Sequence, residues 1–185
     1  MKINNSLTFG LVGIGYYGSI IAKALKSLGN LIWQLNSKSD YTSFDFPDWV
    51  FIVTPNVMHY EQAKYFLNNG TNVCIAKHTA LNPKALEELI DIAKNKKCLL
   101  YINDVFLFDK RLPNNPDIEN PNFFLWHKSD GNQKDSLFDR LTYHHLYLIS
   151  EKINNTNPKF VINEIKNVSN LEFDLNLNIE NSQYN

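Results

Sequence analysis

The sequence predicts an α/β fold: a Rossmann-type, doubly wound parallel sheet, then a reduced C-terminal α+β domain with antiparallel strands. Three observations carry this prediction. Apolar strand-like runs alternate with helix-like runs between residues 7 and 103. A G-x-G-x-x-G loop, Gly13-Ile14-Gly15-Tyr16-Tyr17-Gly18, joins the first strand to the first helix. Beyond residue 106 the alternation stops, and a Pro- and Asn-rich stretch gives way to segments of period two. The boundaries read as a dinucleotide-binding domain over residues 1–106 and a truncated substrate and dimerisation domain over 107–185.

Each element follows from its pattern. LTFGLVG (7–13) is an apolar strand. SIIAKALKSLG (19–29) has helical spacing, with Ile20, Ile21, Ala24, Leu25 and Leu28 expected on one face and Gly29 as the stop. LIWQLN (31–36) and WVFIVT (49–54) are the second and third strands, the latter closed by Pro55. The polar segment between them, 37–48, is too short for a crossover helix plus another strand, so one unit of the sheet is missing. VMHYEQAKYFLNN (57–69) is a helix ended by Gly70. NVCIA (72–76) is the fourth strand, Asn82-Pro83 opens a third helix, and CLLYIN (98–103) is the fifth strand. Further on, FFLWHK reads as a strand, 135–153 as a helix, and KFVINEIKNV and LEFDLNLNI as strands. Strict alternation in LEFDLNLNI marks a half-exposed antiparallel strand.

Composition narrows the function classes. Hydrophobic residues make up 44% of the chain and aromatics 13%, enough for a true core. The net charge of −1 argues against a nucleic-acid partner, which calls for a basic excess. No apolar run is long enough to span a bilayer, and the N-terminal residues lack a signal-peptide cleavage pattern; a cytoplasmic location is the expectation. Cys74 and Cys98 sit in apolar runs and read as core thiols rather than a disulfide.

The glycine loop has a physical division of labour. Gly13 permits a tight turn, Gly15 lets the backbone approach a pyrophosphate, and Gly18 lets helix and strand pack closely. The helix N-terminus then faces the anion. A carboxylate at the end of the second strand would bind the ribose of NAD, but Asn36, Ser37 and Lys38 stand there. Ser37 and Lys38 can hold a 2′-phosphate, which tilts the cofactor from NAD toward NADP; an ordinary polar loop is the alternative. The fourth strand ends on Lys77 and His78, two residues able to do chemistry where parallel strands line a ligand crevice.

Three ordered motifs then carry a family resemblance: the glycine loop; Asp48, Val50, Thr54, Pro55 and His59 within DWVFIVTPNVMH; and Gly70, Val73 and Lys77 within GTNVCIAKH. Together they resemble the Gfo/Idh/MocA oxidoreductases, the family of glucose–fructose oxidoreductase and inositol dehydrogenase, over residues 7–106. The resemblance implies oxidation or reduction at a hydroxyl or keto carbon of a sugar, cyclitol or nucleotide-sugar with NAD or NADP. It implies that Thr54, Pro55 and His59 lie along the cofactor, that Lys77 hydrogen-bonds the reacting oxygen, and that the chain dimerises through its C-terminal sheet. The proton acceptor it implies is matched best by His144 in FDRLTYHHLYL. Three departures stand beside these matches. Ala76 and His78 replace the Glu and Pro that flank the family lysine, Arg140 stands where an Asp partner of His144 is expected, and the second domain is shorter than the family's. A catalytically degenerate binding or regulatory subunit is therefore the alternative expectation.

Overall fold

The computed structural model describes residues 6–77, 82–108, 147, 159–169 and 172–180. The chain divides into two compact units, Met1–Asp104 and Val105–Asn185. The first contains β1 (Thr8–Val12), α1 (Tyr16–Leu28), β2 (Asn30–Leu35), β3 (Trp49–Ile52), α2 (Asn56–Asn68), β4 (Asn72–Ala76), α3 (Pro83–Lys96) and β5 (Leu100–Asn103). Among its described residues the second contains a single 3-10 turn, Val105–Phe108, and two strands, β6 (Lys159–Ser169) and β7 (Glu172–Glu180). β6 and β7 pair antiparallel from Lys159 opposite Glu180 to Ser169 opposite Glu172, with two irregularities in register. The FFLWHK strand and the 135–153 helix fall outside the described residues, Tyr147 apart.

In the first unit five parallel strands form one sheet in the order β2-β1-β3-β4-β5. The chain runs outward from β1 to β2, then returns past β1 and continues through β3, β4 and β5. The order therefore reverses between β1 and β3, and the carboxyl ends of strands at such a reversal are where open α/β sheets hold their ligands. Alternating side chains of β1 feed both faces: Phe9 and Leu11 pack with Ala22 and Leu25 of α1, while Val12 joins the core beneath α2 and α3. That larger core holds Val50, Ile52, Phe66, Leu67, Val73, Ile75, Leu89 and Ala93, all buried.

The face that α1 presents differs from the expected stripe. Gly18, Ala22 and Leu25 are buried, whereas Ile20 and Leu28 are 46% and 71% exposed. Close approach to the glycine loop decides this. A Cβ on Gly18 would lie 1.9 Å from the Gly13 carbonyl oxygen, so the helix must turn its smallest residue to the sheet. The buried stripe then runs from Gly18 at helical spacing.

Residues 36–48 contain neither a helix nor a strand, as their length implies. Aromatic rings fill the place of a crossover helix. Trp33 stacks on Phe66 at 5.9 Å, and its Nε1 donates to the Asp45 carbonyl at 2.9 Å. Tyr41 and Phe46 close around Phe66 and Tyr65. Gly10 makes room for this, since a Cβ there would lie 2.3 Å from the Trp33 ring. The connection lies on the α2–α3 side, as a right-handed crossover leading away from β2 toward β3 requires.

Helix ends follow local chemistry. Asn82 caps α3 by accepting from Ala85 N at 2.9 Å, and Pro83 takes the first turn. Lys97 ends that helix in the left-handed region at φ 57°, letting Cys98 N reach the Ala93 carbonyl at 2.9 Å. Cys74 and Cys98 are free thiols.

Asp48 ties the start of β3 to β1. Its Oδ2 accepts from Thr8 N at 2.8 Å and from Thr8 Oγ1 at 2.7 Å. These donors hold its carboxyl below the ordinary value of 3.8. Its contribution to stability is thus present above that value and is lost as pH falls through the depressed native value.

Two outcomes follow for stability. Phe66→Ala removes the ring on which the aromatic cluster rests and is expected to cost about 3–5 kcal/mol in urea unfolding. Asp48→Asn is expected to flatten the acid dependence of stability below about pH 4, read as the slope of unfolding free energy against pH, while leaving the slope near neutrality unchanged.

Candidate active site at the carboxyl ends of the strands

The glycine loop lies at the point where the strand order reverses. Gly13 N donates to the Leu35 carbonyl at 2.8 Å, and Val53 N donates to the Val12 carbonyl at 2.9 Å. The loop is thereby anchored to the ends of both neighbouring strands. Gly13 has φ +105°, and a Cβ on it would lie 2.7 Å from the Val53 carbonyl. Both the turn and the close approach require glycine. Gly15 is different: it is exposed, and a Cβ there would meet nothing within 4 Å. Open space over backbone N–H groups at the start of α1 is the cradle a pyrophosphate fills. The residues present therefore fit a dinucleotide. Tyr16 stands out into solvent, 87% exposed.

The second strand ends in a turn in which Asn36 Oδ1 accepts from Lys38 N at 2.8 Å. That bond uses the Asn36 side chain to shape the turn, and Lys38, beside Ser37, is exposed.

On the other side of the loop, α2 grips Thr54 twice. His59 Nε2 donates to the Thr54 carbonyl at 2.6 Å, and Thr54 Oγ1 donates to Gln62 Oε1 at 2.6 Å. Both His59 and Gln62 are buried, at 0% and 1% exposure. His59 thus differs from its expected place along the cofactor: it lies beneath the Thr54-Pro55 turn and holds the turn's backbone. Its spacing explains this, because a side chain five residues on, within the first turns of a helix capped by Pro55, points back at the preceding loop. Pro55 itself is exposed at the rim. Gln62 Nε2 is buried without a hydrogen-bond partner.

Lys77 is half-buried at the end of β4. Asn103, which pairs with Ala76 across β4 and β5, ends the neighbouring strand. Asn103 Nδ2 donates to Tyr17 Oη at 3.0 Å, linking the first turn of α1 to the end of β5. Burial pushes the Tyr17 hydroxyl above its ordinary value, with the Asn103 bond opposing, so the group stays protonated near neutrality. Beneath it the Cys74 thiol is pushed up to about 12 by burial and is no nucleophile. His78 and His144 lie outside the described residues. No cluster of metal-ligating side chains occurs among the described residues.

Gln62, Asn103 and the fully buried Asp104 were not singled out from the sequence. Asn103 was open to the same rule that marked Lys77, since it too ends a parallel strand. Gln62 follows His59 at a spacing of three on one helix face, a signal that both turn inward together.

With the geometry in place, comparison with known proteins adds an independent line. Residues 33–104 match the family model GFO_IDH_MocA, described as an oxidoreductase family with an NAD-binding Rossmann fold. The matched stretch starts after the glycine loop, so loop and family match support each other separately. The chain is 47% identical over 65 residues to scyllo-inositol 2-dehydrogenase (NADP(+)) IolU of Bacillus subtilis, a match covering 35% of this chain and 20% of that protein. The chain thus spans about a fifth of the length of that curated relative. In fold it is similar to a probable dehydrogenase from Thermotoga maritima, with a TM-score of 0.64, 14% identity and coverage of 88% of this chain and 60% of that one. It is also similar to myo-inositol 2-dehydrogenase from Lactobacillus plantarum, at TM-score 0.51 and 19% identity over 56% of this chain and 38% of the other. Over residues 33–104 the chain is thus similar to the Gfo/Idh/MocA oxidoreductases, and its Rossmann fold is that of these dehydrogenases.

Gly15→Ala separates binding from folding. The added methyl meets open space, so thermal stability is expected to stay within about a degree, while dinucleotide affinity falls about tenfold or more as the cradle fills. Titration followed by nicotinamide fluorescence, beside a melting curve, checks both.

Proposed function

We propose that this chain is an NAD(P)-dependent oxidoreductase that acts on a hydroxyl or keto carbon of a sugar, cyclitol or nucleotide-sugar, with NADP as the preferred dinucleotide. The observation that carries the reading is the glycine cradle. Gly13 and Gly18 are held too tightly for any side chain, while Gly15 stands open at the start of α1. The exposed Lys38 and the absence of a carboxylate among Asn36, Ser37 and Lys38 support NADP, in keeping with the NADP(+) named for the Bacillus relative.

The reaction class assigns the work as follows. Amides of the Gly13–Gly15 loop and the α1 N-terminus bind the pyrophosphate, and Ser37 with Lys38 binds the 2′-phosphate. When bound, the dinucleotide supplies or accepts the hydride. The Thr54-Pro55 turn, pinned by His59 and Gln62, keeps the floor of the crevice in place. Lys77 donates from Nζ to the substrate oxygen and stabilises negative charge developing there. His144 accepts the hydroxyl proton during oxidation and returns it during reduction. A second copy of the chain, paired through the β6–β7 sheet, completes a homodimer and covers an open strand edge.

A second reading has its own support. Ala76 and His78 stand where the family carries Glu and Pro, so the lysine loses a neighbouring carboxylate. A dinucleotide-binding subunit without turnover follows if Lys77 is not held toward the substrate.

Titration with NADPH and NADH, followed by a screen of polyols and nucleotide-sugars, tests the reading. NADPH is expected to bind more tightly. Lys77→Met is expected to lower kcat by about 10²–10³-fold with dinucleotide affinity unchanged. Binding without turnover on any such substrate would favour the second reading, and failure to bind either dinucleotide at millimolar concentration would remove both.

A further inference from the structure

Resting on the dinucleotide reading above, the geometry points to a subsite for an amide. We infer that Tyr17 and Asn103 form a hydrogen-bonded pair that reads the nicotinamide carboxamide.

The argument begins with direction. The pyrophosphate cradle lies at Gly15, and the chain offers a phosphate-binding turn at Asn36–Lys38 on the β2 side. An extended dinucleotide held at its centre, with its adenosine toward β2, sends its other half toward the ends of β3, β4 and β5. Thr54, Lys77 and Asn103 end or follow those strands. The hydroxyl of Thr54 already donates to Gln62, and its carbonyl already accepts from His59. Tyr17 and Asn103 are placed differently. Their mutual bond, 3.0 Å from Asn103 Nδ2 to Tyr17 Oη, uses one donor of the amide and one acceptor of the phenol. The Tyr17 O–H and Asn103 Oδ1 keep their capacity to pair with a ligand. Tyr17 retains 38% of its surface exposed, and Asn103 is half-buried.

One donor beside one acceptor is the complement of a primary carboxamide. The Tyr17 hydroxyl donates to the carboxamide oxygen, and Asn103 Oδ1 accepts from its NH₂. The phenol stays protonated near neutrality, so the donor is present. The mutual bond also orients both side chains before any ligand arrives, which lowers the ordering cost of binding. The ring orientation that follows would set the nicotinamide beside β4, whose Ala76 pairs with Asn103 and precedes Lys77.

Binding of two ligands to full-length protein tests this. One is the preferred reduced dinucleotide; the other is the matching ADP-ribose or its 2′-phosphate, which has cradle contacts but no carboxamide. Tyr17→Phe and Asn103→Ala are each expected to weaken the dinucleotide about three- to tenfold, the range of one neutral hydrogen bond. ADP-ribose affinity is expected to stay within about twofold, which also reports that the variants fold. The 3-acetylpyridine analogue, which lacks the NH₂ donor, should bind wild-type protein more weakly and be insensitive to Asn103→Ala. Equal weakening of both ligands would make the pair a structural tie and overturn the inference. Unchanged dinucleotide affinity in both variants would overturn it too. Wild-type protein that binds ADP-ribose but discriminates nothing at the carboxamide refutes the subsite alone, whereas wild-type protein that binds neither ligand removes the dinucleotide reading itself.

Discussion

The contact between the glycine loop and the end of β3 is the constraint on which the site depends. Gly13, Gly18 and the Val53–Thr54 backbone come so close that any Cβ at the two glycines would overlap main-chain atoms. This approach sets where α1 begins, which of its faces turns to the sheet, and how the first helical amides meet the crevice. Leu35 and Val12 supply the carbonyls that anchor the loop and β3, so the sheet itself holds the cradle open. The contact occurs where the strand order reverses, because only there do adjacent strands send their chains to opposite faces.

A second set of contacts supports the opposite wall. Thr54 is held at its hydroxyl by Gln62 and at its carbonyl by His59, both from α2. Burying two polar side chains has a desolvation cost, which hydrogen bonding offsets only where partners are found. Gln62 Nε2 goes without one, a local cost carried by the large core around Phe66, Leu67 and Ile52. That core depends in turn on the aromatic cluster over β2. Rings of Trp33, Tyr41, Phe46 and Tyr65 replace a whole crossover unit with side-chain area. Aromatics are suited to this, since each covers a large apolar area with few rotatable bonds. The missing unit leaves β2 as the sheet's edge and shapes the turn at Asn36–Lys38.

Much of this was legible before the structure. Alternating apolar runs, the glycines and the stops at Gly29 and Gly70 locate the elements within a few residues, because backbone geometry and burial period are local properties. The short 37–48 segment correctly implied a lost unit, since a crossover has a minimum length. The place of Lys77 just past the end of a strand was legible, because NVCIA is a continuous apolar run. The packed face of α1 was misjudged, because apolar spacing alone cannot register that a carbonyl 1.9 Å from a notional Cβ excludes every side chain at position 18. His59 was legible as a motif residue but not as a clamp, since its partner is a backbone carbonyl that carries no residue identity.

What the sequence by itself determined is the order and type of the Rossmann elements, the positions of the three glycines, and the family that the domain resembles. These depend on neighbours in the chain and on periodicity, so one dimension is enough to carry them. What only the tertiary structure decided is which side chains meet: Thr54 with Gln62 of α2, Asp48 with Thr8 across the strand starts, and Tyr17 of α1 with Asn103, the last pair 86 residues apart. Such pairings arise from strand order and crossover handedness. Both are properties of the assembled sheet, and neither is written at any single position of the chain.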